Sequence, residues 1–120
     1  MSHIDEIKFG SITIDGKKYH QVLIIGDKIV ERESDKLHEL FGTSHKIGDW
    51  EQEILLEDNP EVILIANGFQ GALEVEPKVM EKFKKSGAEI LVLHSPLAIH
   101  KYNELIKQGK KVNALIHTTC

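Results

Sequence analysis

A chain of 120 residues, 41% hydrophobic and 28% charged, is one domain with enough apolar material for its own core, which excludes wholesale disorder and a need for disulfide or metal staples. Lys and Arg number 15 against 19 Asp and Glu, and the resulting charge of −4 argues against nucleic acid or anionic lipid as the main partner, since both reward basic patches. No apolar run approaches the roughly 20 residues that span a bilayer, Met1-Ser-His-Ile-Asp-Glu6 lacks the layout of a secretory signal, and one cysteine closes no internal bridge, so the expected setting is the cytoplasm.

Residues 7 to 14 alternate as Ile7-Lys8-Phe9-Gly10-Ser11-Ile12-Thr13-Ile14 and reach Asp15-Gly16. That pair supplies the positive φ values of a type I′ turn, and strand-like residues resume from Tyr19 to Ile25, so a β-hairpin is predicted. Gly26-Asp27 turns the chain again, and Lys28 to Arg32 adds a third short strand. This N-terminal antiparallel segment is expected to cover one face or edge of a main sheet. Ser34 to Phe41 has Leu37, Leu40 and Phe41 at helical spacing with Gly42 to end the turn, and Thr43 to Gly48 reads as loop.

Asp49 opens a further helix, with Gln52 three residues on as the partner of a capping box. Glu51 and Glu53 suit the positive end of the helix dipole. Trp50, Ile54 and Leu55 form its apolar stripe, and Asn59-Pro60 is expected to stop it. The organising strand follows, Glu61 to Ala66, rich in β-branched residues and ending in the Asn67-Gly68-Phe69-Gln70-Gly71 loop. Pro77 to Lys85 reads as a helix with Val79, Met80 and Phe83 inward, Glu89 to Leu93 as a strand, and Ser95-Pro96 as the cap and first turn of another helix. Leu97, Ile99, Tyr102, Leu105 and Ile106 supply that helix's apolar faces, and Val112 to Ile116 is the last strand. The sequence thus predicts an α/β domain over residues 1–120, an N-terminal β-hairpin followed by a βαβαβ-like half. Abundant Glu, Lys and Ile with scarce Gln and Cys lean toward a thermophilic composition.

Three strands end at Ala66-Asn67, His94-Ser95 and His117-Thr118. In open α/β sheets ligands gather at such ends. If all three strands run parallel, Asn67, Gln70, His94, His117, Thr118, Thr119 and Cys120 share one edge, and the Thr43–Gly48 loop folds over them with His45. If the last strand runs antiparallel, the cluster splits. The Gly68-x-x-Gly71 loop is neither a dinucleotide fingerprint nor a P-loop, so a tight turn is its plainer reading and a ligand loop the sharper one. His117-x-x-Cys120 has a spacing compatible with metal, but with one cysteine a site would have to recruit His45 or His94, and no metal or other cofactor is expected. A Cys120 nucleophile with His117 as base is a further alternative, while no nucleophile elbow supports Ser44 beside His45. His20, His38 and His100 are expected at the surface.

Gly42-Thr43-Ser44-His45, Gly68-x-x-Gly-Ala72-Leu73-Glu74, Lys101-Tyr102-Asn103 and the ending Ile116-His117-x-Thr119-Cys120 together resemble the Mth-nine-three-eight-like domain family. That family includes an archaeal protein of unknown function, a human adipogenesis-associated protein and a mitochondrial complex I assembly factor. The resemblance implies a three-layer α/β domain with a mixed central sheet and carries over no catalytic residues. The assembly role is not expected to transfer, since Met1-Ser-His-Ile-Asp-Glu6 does not read as a mitochondrial presequence. The functional expectation is a non-catalytic binding or assembly module for an unknown protein partner or a small molecule. Its small-ligand pocket would be built from Thr43, Ser44, His45, Asn67, Gly68, Gln70, Gly71, His117 and Thr119. The alternative is a small enzyme with His45, His94 or His117 as base and Cys120 as nucleophile.

Overall fold

A computed structural model describes residues 2–120. Three short antiparallel strands, β1 (Ile4–Lys8), β2 (Ser11–Ile14) and β3 (Lys17–Tyr19), form a small sheet. β4 (Val22–Ile25), β5 (Lys28–Glu31), β6 (Val62–Asn67), β7 (Glu89–Leu93) and β8 (Val112–His117) form the main sheet in the order β5-β4-β8-β6-β7. Four helices complete the described residues: α1 (Ser34–Phe41), α2 (Asp49–Leu55), α3 (Pro77–Lys85) and α4 (Ser95–Lys107).

The main sheet is mixed, as the family resemblance implies. β6 pairs in parallel with both β7 and β8, whereas β4 runs antiparallel to β8 and β5. Period-two alternation then sorts the side chains of the central strands into two cores. Val22, Ile24, Leu64, Ala66, Ala114 and Ile116 join Ile99, Tyr102 and Leu105 of α4, with Ile4, Ile12 and Ile14 of the small sheet. Leu23, Ile25, Ile63, Ile65 and Leu115 join Leu55 of α2 with Val79 and Phe83 of α3. The layers are therefore α2 and α3, the main sheet, then α4 beside the small sheet.

Several local expectations are corrected. The strand predicted over residues 7 to 14 is broken at Phe9-Gly10, because the chain folds back there so that β1 pairs with β2. The Asp15-Gly16 hairpin forms with φ of 49° and 81° and joins β2 to β3. The strand predicted from Tyr19 to Ile25 is split at His20-Gln21, with β3 in the small sheet and β4 in the main one. The N-terminal segment thus divides between one face of the main sheet and its edge. The cap of α2 is shifted by one residue: Glu51 Oε1 accepts the Gly48 N–H at 2.9 Å, while the Gln52 amide donates to the Ile47 carbonyl at 3.3 Å. Helix α2 ends before Asn59-Pro60, because Asn113 Nδ2 of β8 reaches the Leu55 and Glu57 carbonyls at 2.9 and 2.8 Å. Leu97, expected on an apolar face, is 64% exposed, and Ala98 takes the buried position.

Candidate functional site

The C-terminal ends of β6, β7 and β8 lie along one sheet edge, as parallel strands require. Asn67 and His117 are direct neighbours in register. Chain connections leave this edge toward opposite faces: β6 runs to α3 in one core and β7 to α4 in the other. Such a reversal opens a crevice between neighbouring strand ends. Here the Gly68–Gly71 loop enters it.

Two glycines let that loop fit. Gly68 has φ +108°, and a Cβ there would collide with the main-chain carbon and oxygen of Cys120 and lie 2.9 Å from His117 Cδ2. Gly71 has φ +70°, and a Cβ there would lie 2.8 Å from His94 Nε2 and 3.6 Å from Asn67 Nδ2. Backbone bonds then sew the loop to the tail. Phe69 N donates to the Thr119 carbonyl at 2.8 Å, and Gln70 N and Ala72 N donate to the Cys120 carbonyl at 2.8 and 3.1 Å. Leu73 returns to the sheet through its N–H on the Asn67 carbonyl at 3.0 Å. Ser95 was expected to cap α4, but His94 holds the cap position and Ser95 lies inside the fold. Its Oγ donates to the His117 carbonyl at 2.5 Å and accepts the Gly68 N–H at 2.9 Å.

The Thr43–Gly48 loop folds over the same edge. The His45 ring meets the His117 ring edge-on at 5.2 Å between centroids, and Glu74 N donates to the His45 carbonyl at 3.1 Å. Thr43 Oγ1 accepts the His45 N–H at 3.1 Å. Ser44 is buried, and its carbonyl accepts from Arg32. Thr118 is buried as well, its hydroxyl donating to the His20 carbonyl at 2.9 Å.

Beneath these groups lies a polar network that the sequence reading missed. Arg32 and Glu51 side chains are both fully buried, and they form a two-pronged ion pair at 2.7 and 3.0 Å. The guanidinium also donates to Gln21 Oε1 at 2.9 Å, the Ser44 carbonyl at 3.1 Å and the Lys46 carbonyl at 2.8 Å. All five of its N–H groups are thereby used. Gln21 Oε1 lies 2.7 Å from His117 Nδ1. An oxygen there accepts, so Nδ1 carries the proton, and Nε2 accepts from the Thr119 hydroxyl at 3.1 Å. Burial pushes the His117 pKa down to about 4, with the Arg32 charge and the neighbouring His45 and His20 adding to it. The only signal in the sequence was weak: an arginine closing a short apolar strand, and a glutamate inside a first helical turn.

His45, His117, Asn67, Gly68, Gln70, Gly71, Thr119, Cys120 and His94 are thus brought together, with Thr43 and Ser44 holding one side. The described residues contain no group of three His, Cys, Asp or Glu side chains placed to hold a metal ion. Two clefts open nearby. One of about 580 Å³ is lined by His20, Arg32, Glu33, Asp35 and Glu39 among others, and one of about 300 Å³ by Phe41, Lys46, Gln52, Glu76 and Lys82 among others. The grouped residues themselves line neither cleft. Among them, Asn67 Oδ1 is buried with no hydrogen-bond partner among the described residues. At the rim, Phe9 is 61% exposed and packs on Phe69 with centroids 5.7 Å apart.

This architecture and this junction define a class: a small α/β domain whose mixed five-stranded sheet is closed at one end by its own loops and tail. The chain belongs to the family described as Protein of unknown function (DUF498/DUF598), whose model matches residues 4–117. It is similar to the conserved hypothetical protein PH1505 from Pyrococcus horikoshii OT3, with 30% identity and a TM-score of 0.85 over 98% of each chain. It is also similar to a solved structure named MT938, with 32% identity and a TM-score of 0.78 over the whole of each chain. A Bordetella pertussis protein described as a Mth938-like domain shares the fold at 14% identity, with a TM-score of 0.65 over 98% of this chain and 85% of its own. The Mth938-like resemblance read from the sequence therefore holds at the level of the family.

Proposed function

We propose that the chain is a non-catalytic binding or assembly module of the cytoplasm. It meets a protein partner or a small molecule at the surface formed by the Gly42–His45 loop, the Asn67–Gly71 loop and the tail. The observation that carries this reading is the state of His117. Both of its ring nitrogens are committed to Gln21 and Thr119, and its pKa of about 4 leaves it a poor proton acceptor near neutral pH. The best-placed base of the catalytic alternative is thus spent on structure. Exposed Phe9 on Phe69 offers an apolar contact beside the tail. The single cysteine favours a reducing compartment, and no described helix is long and apolar enough to cross a membrane.

The test is affinity capture with the wild-type chain and a Phe9→Ser/Phe69→Ser variant, beside thermal shifts against a metabolite panel. A reproducible partner lost in the variant, or a shift from one metabolite class, supports the reading. No partner and flat shifts overturn it. The enzyme reading keeps one observation in its favour: His94 is exposed, with Nε2 set against Gly71. Iodoacetamide labelling of Cys120 across pH separates the two. A strongly depressed thiol pKa supports a nucleophile, and ordinary, sluggish labelling removes it.

A further inference from the structure

Among the described residues, three of the four outer strands carry features that oppose pairing. β5 begins with Lys28 and ends with Glu31, β1 carries a bulge between Ile4 and Glu6, and β3 holds Lys17 and Lys18. Charges, lysines and bulges are the usual protections of a free sheet edge. β7 reads Glu-Ile-Leu-Val-Leu, pairs with β6 on one side only, and has no lysine, proline or bulge. Val92 is 36% exposed on it.

The hydrogen-bonding phase of that edge follows from its first residue. Glu89 N donates toward β6, to the Glu61 carbonyl at 2.9 Å. Backbone groups alternate sides along a strand, so those of Ile90 and Val92 point outward, without a strand partner among the described residues. A two-fold axis through Leu91 would set Ile90 opposite the partner's Val92, and Val92 opposite the partner's Ile90. Both are outward residues, so each pair exchanges two N–H···O bonds, and Leu91 meets its own copy at the non-bonded site between them. The pairs match β-branched with β-branched, and Glu89 falls opposite the partner's Leu93, so no like charges meet.

The helix above the edge fits the same operator. Lys82 of α3 reaches Glu53 of α2 at 2.6 Å, so that flank faces the sheet centre. At 3.6 residues per turn the opposite flank carries Pro77, Met80 and Lys84 toward the free edge, where they line an apolar groove. A two-fold axis runs the two α3 helices antiparallel and brings the Pro77–Met80 flank of each beside that of the other, while Glu76 stays with Lys46 on the far flank. Strand phase and the apolar flank of α3 therefore select the same occupant, a second copy of this chain. We propose that the chain forms a two-fold dimer by antiparallel pairing of β7 with β7 of a second copy, joining two sheets into one.

Sedimentation equilibrium and oxidative cross-linking of the full chain test this. The wild type should show twice the 13.6 kDa chain mass. Val92→Lys should weaken the dimer at least about tenfold, whereas Val30→Lys on β5 should not. In a Cys120→Ser background, Leu91→Cys should give a covalent dimer on oxidation and Glu89→Cys should not, because only residue 91 faces itself. If Val92→Lys perturbs folding by circular dichroism, the cysteine pair decides. A monomer up to the solubility limit, a dimer indifferent to Val92→Lys or equally broken by Val30→Lys, or cross-linking through residue 89 in place of 91 overturns the proposal.

Discussion

Replacing Arg32 with alanine should be among the most damaging single changes in the protein. The guanidinium makes two bonds to Glu51 and one each to Gln21 and the Ser44 and Lys46 carbonyls. Its removal strands the Glu51 carboxylate, whose side chain is 0% exposed, with the Gly48 N–H as its one remaining bonded partner among the described residues. Breaking a buried pair from one side costs about 3–5 kcal/mol, because the remaining charge has neither water nor partner. A domain of this size has about 5–15 kcal/mol of total stability. At about 4 °C per kcal/mol, Tm should fall by about 12–20 °C. Urea unfolding followed by circular dichroism measures it directly, with the slope unchanged and the midpoint lowered. Glu51→Ala should cost a similar amount, and the double variant less than the sum of the two by about 1–3 kcal/mol. A loss below about 1 kcal/mol for Arg32→Ala, or strict additivity, would refute the account of the pair as a mutually dependent buried unit.

His117 should impose a pH dependence of its own. An unfolded histidine titrates near 6.5 and the folded one near 4, so between those values the unfolded chain binds the extra proton. Its contribution is therefore full above about pH 6.5 and lost as pH falls toward 4, by at most about 1.4 kcal/mol per pH unit. Urea midpoints across that window should flatten in His117→Asn, and an unchanged slope would discount the residue. Gly68→Ala should cost about 2–4 kcal/mol, from overpacking against Cys120 and His117 plus the positive φ. Gly10→Ala, at φ +91° with open space around it, should cost only about 1–2 kcal/mol, so equal losses in calorimetry would remove the contact argument. Asn103 clamps β1 by bonds to the Ile4 N–H and carbonyl at 2.9 and 2.8 Å. Asn103→Ala should speed hydrogen exchange in residues 4–8 without affecting β7, and uniform protection would contradict it.

Elements and layers were legible because local signals agreed. Asp15-Gly16, Pro77 and the apolar runs of β6 and β8 each point to a single local structure. The direction of the last strand was not legible: helix-length connections allow parallel strand ends without requiring them, and only the parallel pairing of β8 with β6 makes the candidate residues converge. Side-chain partners across the fold were not legible. Arg32 and Glu51 are 19 positions apart, and Gln21 and His117 are 96 apart. Each alone reads as an ordinary surface polar residue. Ser95 showed the same limit: Ser-Pro is a good helix start, yet the tertiary partners Gly68 and His117 took its hydroxyl. Asn113 was hidden in an apolar strand for the same reason, since nothing local shows that the end of α2 lies above it.

What these distant partners do is hold loops still. Loops bind well when the scaffold fixes them, because less freedom is then lost on association. The Gly68–Gly71 loop has no secondary structure of its own, but Ser95 Oγ, the tail carbonyls and Asn67 fix it from three sides. Ser95→Ala tests whether this support matters to recognition. Ser95 is fully buried, so the change removes no surface group. It leaves the Gly68 N–H and the His117 carbonyl without their side-chain bonds, at about 1–3 kcal/mol. If the loops and tail are the recognition surface, hydrogen exchange in residues 68–72 should rise and capture of a partner should weaken together. Faster exchange with unchanged capture would move recognition off this edge of the sheet, to a surface that neither the loop nor the tail supports.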